Sequence, residues 1–93
     1  MRPSLYGKTF LRTFKRLDRQ RQQAAIETVQ SLLTYLKERK QLPAGLGLKK
    51  LAKAYWEVRT TLADRIVFEW LEDQVAFRLV GSHDDVRRFL RQS

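Results

Sequence analysis

The sequence predicts an α+β fold, in which an N-terminal helix hairpin packs on a twisted antiparallel sheet of three to four strands and a short helix ends the chain. Apolar residues recur at helical spacing as far as Lys40, and from Tyr55 onward the period shortens to two. A chain of 93 residues can bury one modest core. We therefore expect residues 1–93 to form a single domain.

Two helices are predicted in the N-terminal part. Thr9 can cap a short first helix, and Asp18 can cap a second that runs from Arg19 to Lys40. Each helix has one apolar face, so the pair should lay both faces on another element. The apolar positions are Phe10, Leu11, Phe14 and Leu17 in the first helix, and Ala25, Ile26, Val29, Leu32, Leu33 and Leu36 in the second.

Three strands are predicted after a loop. The segment QLPAGLG contains one proline and two glycines, which mark a loop. Beyond it, three segments alternate residue by residue between two faces. Their connections are short, and the second is centred on Glu72 and Asp73, so an antiparallel meander is expected. The segments are AYWEVRT, DRIVFEWL and QVAFRLV.

A third helix is predicted at the C-terminus. Ser82 and Asp85 have the S-x-x-D spacing of a capping box, and negative charge in a first turn suits the helix dipole. His83, the only histidine of the sequence, lies between the third strand and this helix. The local rules explain its neighbours but not the histidine itself. The apolar residues expected to face the core are Val86, Phe89 and Leu90.

The charge balance points to a polyanionic partner. Nineteen Lys and Arg against ten Asp and Glu give a net charge of +9. A domain this basic usually binds nucleic acid, and otherwise an acidic protein; the alternative is a basic surface that serves solubility alone. One basic stripe on the first helix is either a solvated or a binding face; it consists of Arg12, Lys15, Arg16 and Arg19. A second basic group has one arginine from each strand on one sheet face, namely Arg59, Arg65 and Arg78.

The composition also excludes some chemistry. The sequence has no cysteine and one histidine, so a thiolate or histidine-rich metal site is excluded. We therefore expect no cofactor, and chemistry that is metal-free or borrows its metal from the substrate. No segment approaches the roughly 18 apolar residues of a membrane span, and the start of the chain lacks the apolar run of a signal peptide. A cytoplasmic location is expected.

The order of these elements resembles the RelE/ParE superfamily of bacterial toxins from type II toxin-antitoxin systems. The resemblance depends on the order of five segments along the chain: the basic helix pair, LKKL, YWEVR, DRIVFEW and the ending VGSHDDVRRFL. It implies a small α+β fold with two N-terminal helices on a twisted antiparallel sheet. It also implies a cognate antitoxin as partner. Many members are ribosome-dependent endoribonucleases that cut mRNA, whereas the ParE branch poisons DNA gyrase.

The resemblance extends to particular positions. Arg65 stands where many nuclease members have an arginine at the start of the middle strand, and His83 where several keep a histidine near the C-terminus. Asp64 falls where some histidine-bearing members keep an acid. Three lysines match the region that supplies basic contacts to RNA. They are Lys49, Lys50 and Lys53.

The mechanism implied is metal-free RNA cleavage. It needs a base for the 2′-OH, an acid for the leaving 5′-oxygen and cations for the charge of the phosphorane. We hypothesise that Arg65 and Arg78 hold the scissile phosphate, because an arginine fork donates two hydrogen bonds to phosphate oxygens. Arg59 or a lysine would support the RNA backbone, and His83 would act as acid or base. Asp64 or Glu57 would serve as the base or orient His83, so either a carboxylate or the ribosome supplies the second group.

Other interpretations remain open. His83 can instead be a helix-start histidine that bonds a nearby carbonyl or aspartate. Many nuclease members place an aromatic residue directly after the histidine, but here Asp84 and Asp85 follow, and Phe89 has the spacing of a core residue. A gyrase inhibitor of the ParE kind would need no catalytic residues. A noncatalytic RNA-binding domain would bind with steep salt dependence without stopping growth.

Overall fold

The computed structural model describes residues 4–38, 47–52, 54–71 and 74–92. Five strands form one mixed sheet in the order β1-β5-β4-β3-β2, and three helices pack around it. Strand β1 runs parallel to β5, while the other neighbours are antiparallel. The elements are β1 Ser4–Tyr6, α1 Lys8–Arg16, α2 Arg19–Glu38, β2 Lys49–Lys50, β3 Tyr55–Arg59, β4 Arg65–Trp70, β5 Val75–Gly81 and α3 His83–Gln92.

The predicted fold class and the central meander of β3, β4 and β5 are confirmed. The strand count is larger than expected, because two short strands occupy the edges of the sheet. Strand β1 has three residues and β2 has two, too few for an alternating pattern to be recognised. The predicted turn at Glu72 and Asp73 and the end of the second helix at Lys40 lie outside the described residues.

The helix starts agree with the prediction only in part. The backbone N–H of Arg21 donates to Asp18 Oδ1 at 2.8 Å, so Asp18 caps α2 as expected. Thr9 does not cap α1: the helix begins at Lys8 after Gly7, with no side-chain cap, and Thr9 lies in the first turn. Among the described residues, none of the helices is both long and apolar enough to cross a membrane.

The main core lies between the helix hairpin and one face of the sheet. Phe68 and Phe77 have no exposed surface, and Phe10 of α1 contacts Phe77 with ring centroids 5.8 Å apart. Leu11 and Ile26 differ from the prediction, because the two residues are 47% and 41% exposed. The hairpin contributes Phe10, Leu17, Ala25, Val29, Leu32 and Leu36, and the sheet contributes Val58, Ile66, Phe68, Val75, Phe77 and Val80.

A second, smaller cluster lies on the other face of the sheet, where α3 packs. Val86 of α3 is buried against Val67 and Leu79, whereas the neighbouring strand residues Ile66, Phe68 and Val80 belong to the main core. The predicted apolar face of the third helix is therefore correct, but it covers the sheet face that also bears the arginines. Those arginines are consequently placed around the margin of α3.

An irregularity in β5 shifts one of these arginines. Val67 pairs with Leu79 whereas Phe68 pairs with Phe77, so Arg78 is an extra residue in the ladder. Such a β-bulge puts successive residues on the same face. It explains how Phe77 reaches the main core while Leu79, two residues on, packs beneath α3.

Helix α1 is tied to the edge of β5 beyond the short β1 strand. The N–H of Gly7 donates to the carbonyl of Phe77 at 3.0 Å, and the N–H of Val80 donates to Thr13 Oγ1 at 3.2 Å. The Thr13 hydroxyl in turn donates to the carbonyl of Thr9 at 2.9 Å. A threonine on α1 therefore satisfies a strand N–H that β1 is too short to reach.

Candidate functional site

Three strands converge at one corner of the sheet. Arg59 at the end of β3 pairs with Arg65 at the start of β4, and Arg65 pairs with Gly81 at the end of β5. His83 follows two residues after Gly81 as the first residue of α3. The structure therefore places Arg59, Arg65 and His83 at the same corner, as a consequence of strand register alone.

Arg65 forms an ion pair with a carboxylate on the same sheet face. Its Nε lies 3.3 Å from Glu57 Oε2, and the two side chains are only 17% and 12% exposed. The contact lacks the geometry of a hydrogen bond, so the buried Nε has no hydrogen-bond partner among the described residues. A guanidinium and a carboxylate thus lie side by side, and the Nε–H of Arg65 is still free to donate a hydrogen bond.

The backbone beneath His83 is fixed by the predicted capping box. Asp85 Oδ2 accepts from the Ser82 N–H and the Ser82 hydroxyl, both at 2.9 Å, and the Asp85 N–H donates to Ser82 Oγ at 3.2 Å. Hydrogen bonds from Ser82, above all from its N–H, lower the pKa of the Asp85 carboxyl. The His83 side chain is exposed. The cap therefore holds a solvent-facing imidazole at the corner.

Gly81 is required by this close packing. A Cβ at this position would lie 2.7 Å from Asp85 Oδ2 and 3.0 Å from Asp85 Cβ. Any side chain here would push Asp85 away from Ser82. Gly81 therefore leaves the space that Asp85 needs in order to cap the helix.

Asp64 is the sequence neighbour of Arg65 but is engaged elsewhere. Its side chain is fully buried, and Arg21 of α2 donates to both carboxylate oxygens, each at 2.7 Å. These bonds raise the pKa of Arg21. The Asp64 N–H also donates to Thr61 Oγ1 at 3.0 Å. Asp64 therefore anchors the turn before β4, and its oxygens do not face the corner.

Arg78 is not brought beside Arg65. It lies three residues before Gly81, the partner of Arg65, which is roughly 10 Å of strand. Its Nε is paired with Glu69 Oε1. A separate cavity of about 270 Å³ lies next to Arg78. Its lining comprises Gly7, Lys8, Thr9, Tyr55, Glu69, Arg78 and Phe89.

The lysines of the predicted RNA contact lie on the far edge strand. Lys49 and Lys50 form β2 and are exposed. Lys49 pairs with Glu57, so it extends the corner face, whereas Lys50 pairs with Trp56 and has its Nζ 5.9 Å from that ring's centroid. Lys53 lies outside the described residues.

Sequence reasoning underrated one aromatic pair, which lies beside Glu69 and Arg78. The rings of Tyr55 on β3 and Phe89 on α3 meet edge to face, with centroids 5.3 Å apart, and both are partly exposed. Their separation by 34 positions left no local signal. The pair places an aromatic surface on the same face as Glu57 and Arg65.

Comparison with known proteins gives a fold but no sequence relative. No family model and no curated protein matches the sequence. A mutant toxin from Helicobacter pylori, solved with copper bound, matches with a TM-score of 0.71 at 16% identity, over 92% of this chain and 99% of that one. YafQ from E. coli matches with a TM-score of 0.72 at 17% identity, over 92% and 98%.

A third solved structure is the RelB-RelE antitoxin-toxin complex from Methanococcus jannaschii. It matches with a TM-score of 0.65 at 20% identity, over 91% of this chain and 96% of that one. The chain therefore has the fold of toxins from toxin-antitoxin systems. Within that class its neighbours are the RelE and YafQ structures, and the fold that the resemblance implied is confirmed.

Proposed function

We propose that this protein is the toxin of a type II toxin-antitoxin system and a metal-independent endoribonuclease that cleaves mRNA on the ribosome. The observation that carries the proposal is the ion pair of Arg65 and Glu57 at a corner of a RelE-like fold, where β5 leads into His83. A cation, a carboxylate and an imidazole are the groups that transfer of a ribose-linked phosphate requires without metal.

The step is an in-line displacement at phosphorus. The 2′-oxygen forms a bond to phosphorus, the bond from phosphorus to the 5′-oxygen breaks, and a 2′,3′-cyclic phosphate and a 5′-hydroxyl result. Glu57 accepts the proton of the 2′-OH, and His83 gives a proton to the 5′-oxygen. Arg65 stabilises the charge of the phosphorane with its free donors.

The ion pair suggests how the base becomes available. In the free protein Glu57 and Arg65 neutralise each other at 3.3 Å. A phosphate that binds Arg65 competes for its guanidinium, because bidentate contacts to phosphate are stronger than a contact of poor geometry. Glu57 is then released to accept a proton.

The remaining predicted residues take supporting roles. Arg59 and Lys49 are exposed on the face of the corner and hold the RNA backbone. Lys50 is exposed on the same edge strand, opposite Trp56, and adds positive charge at that edge. Arg78 holds the RNA chain farther from the scissile phosphate, since Arg65 pairs with Gly81, three residues beyond Arg78. Asp64 is a structural residue, because Arg21 occupies both of its oxygens.

The partners follow from the same proposal. Neighbouring structures include toxin-antitoxin complexes, among them RelB-RelE and DinJ-YafQ. We infer a cognate antitoxin for this chain, and ribosome-bound mRNA as its substrate in the cytoplasm. The net charge of +9 favours both an acidic antitoxin segment and RNA.

Induced expression tests the proposal. Wild type should arrest growth with cleaved mRNA, and His83→Ala or Arg65→Ala should relieve both. Arg87→Ala, an exposed arginine on α3, is the matched control and should remain toxic. Growth arrest with intact mRNA would redirect the proposal to DNA gyrase. Normal growth with soluble wild-type protein would leave a noncatalytic RNA-binding domain.

A further inference from the structure

A groove lies between α1 and α3, on the opposite side of α3 from β2 and β3. It encloses about 340 Å³ and runs over the last residues of β5, where β1 no longer covers the strand. Arg12 and Arg16 line it from α1, and Arg88 and Gln92 line it from α3. None of these four residues belongs to the corner of Arg65, Glu57 and His83. We call it the α1–α3 groove.

The charges along this groove are mostly uncompensated. Arg12 and Arg16 are exposed, and within the described ranges no carboxylate pairs with either. Arg88 contacts Asp85 at 3.1 Å, but both side chains are largely exposed, and such surface pairs contribute little. Arg21 also lines the groove but is held by Asp64. Helix α1 contains no acidic residue at all.

The arginines are arranged to meet a chain of anions. Arg12 and Arg16 are four residues apart on one helix, so they lie on the same side about 6 Å apart along its axis. Arg88 lies on the facing wall. Arginine forks on two walls suit successive phosphate groups, because each fork can donate two hydrogen bonds to one phosphate.

The other side of α1 is suited to a different ligand. There Leu11 is 47% exposed and Ile26 of α2 is 41% exposed, beside a mainly apolar groove. A protein helix binds through apolar anchors of this kind. In the α1–α3 groove the apolar side chains are buried or partly buried, and the exposed side chains are polar; the apolar ones are Leu17, Leu79, Val80 and Phe89. The α1–α3 groove therefore fits a polyanion better than an amphipathic helix.

We propose that the α1–α3 groove binds the phosphate backbone of RNA, at a place separate from the corner that carries His83. The inference rests on the proposed function in taking RNA as the target. The shared chemistry is a run of phosphodiesters, from the message or from ribosomal RNA. Helix α3 then has RNA on two sides, with the reacting phosphate at its N-terminus and a bound backbone along its flank.

The test compares two double variants. Arg12→Ala with Arg16→Ala removes two groove arginines, and Arg87→Ala with Arg91→Ala removes two exposed arginines of α3 that do not line it. Binding of a short 2′-O-methyl RNA, which cannot be cleaved, is measured against salt concentration. Two lost phosphate contacts should lower the slope of log affinity against log salt by about 1.4, and the control should lower it by less than half as much.

A second arm identifies the source of the phosphates. The same variants are sedimented with ribosomes that carry no message. Loss of oligonucleotide binding assigns the groove to message, and loss of ribosome binding alone assigns it to ribosomal RNA. Unchanged binding in both arms, or equal loss in the control variant, overturns the proposal. Weaker binding of a polyglutamate peptide with unchanged RNA binding also overturns it, in favour of an acidic protein segment.

The outcome stays distinct from that of the proposed function. His83→Ala should bind the 2′-O-methyl RNA like wild type, because the histidine does not line the groove. Toxicity retained in His83→Ala would count against the nuclease, whatever the groove variants bind. Circular dichroism melting of each variant checks that the fold is kept.

Discussion

Arg21 on α2 donates hydrogen bonds of 2.7 Å to both oxygens of the Asp64 carboxylate, which has no exposed surface. The pair joins residues 43 positions apart and fastens the start of α2 to the turn that precedes β4. Arg65 follows Asp64 directly. The position of the proposed catalytic arginine therefore depends on an ion pair that takes no part in the chemistry.

Arg21→Ala should destabilise the protein strongly, because it leaves a buried carboxylate without its cation. Arg21 is 42% exposed, so the cost should lie at or below the lower end of the ~3–5 kcal/mol seen when a buried pair is broken. Urea unfolding measures it. Arg19→Ala, an exposed residue of the same helix, is the control. A loss within the ~0–1 kcal/mol of surface pairs would show that water replaces the guanidinium.

Asp85→Ala should cost about 1 kcal/mol at neutral pH, the usual value of a lost cap. Since the folded pKa of Asp85 lies below its unfolded value, the carboxylate stabilises the fold above the unfolded pKa, and this stabilisation is lost as the pH falls below about 4. The difference in unfolding free energy from wild type should therefore shrink in acid. A difference that stayed constant with pH would contradict the assignment. Asp84→Ala, an exposed neighbour, serves as control.

Gly81→Ala should weaken the cap and displace His83 together, because the added Cβ would lie 2.7 Å from Asp85 Oδ2. We expect a loss of stability of about 1 kcal/mol, as for removal of an N-cap, and reduced toxicity. Adding Asp85→Ala removes the 2.7 Å contact to Oδ2 and leaves the contact of 3.0 Å to the Cβ of residue 85. Gly81→Ala should therefore cost less stability in the Asp85→Ala background than in wild type, as a double-mutant cycle would show. Full additivity would mean that Asp85 is not what Gly81 accommodates.

Glu57→Gln should slow RNA cleavage about 10²–10⁴-fold, the usual contribution of a general base. The fold should be kept, since the amide occupies the same space. Single-turnover cleavage of RNA is the measurement. A wild-type cleavage rate in Glu57→Gln would reduce Glu57 to an ion-pair partner of Arg65 and return the role of the base to the ribosome.

Local chemistry predicts much of this structure and tertiary contacts supply the rest. The Ser82 and Asp85 cap and the meander follow from short-range spacing, as does the aspartate cap of α2. Arg21 was not linked to Asp64, because 43 positions separate them. The distance between Arg78 and Arg65 was missed because it depends on the strand register, in which Arg65 pairs with Gly81, and an alternating pattern does not reveal which residues pair.

The bond from Val80 to Thr13 also affects how copies of this chain meet. An open strand edge is a template on which a second molecule can add a strand, and the outcome is aggregation. Helix α1 covers the C-terminal half of β5, and the outermost strands of the described sheet are the short β1 and the two lysines of β2. The shortness of β1 at one edge and the positive charge of β2 at the other therefore discourage the addition of a strand from a second molecule.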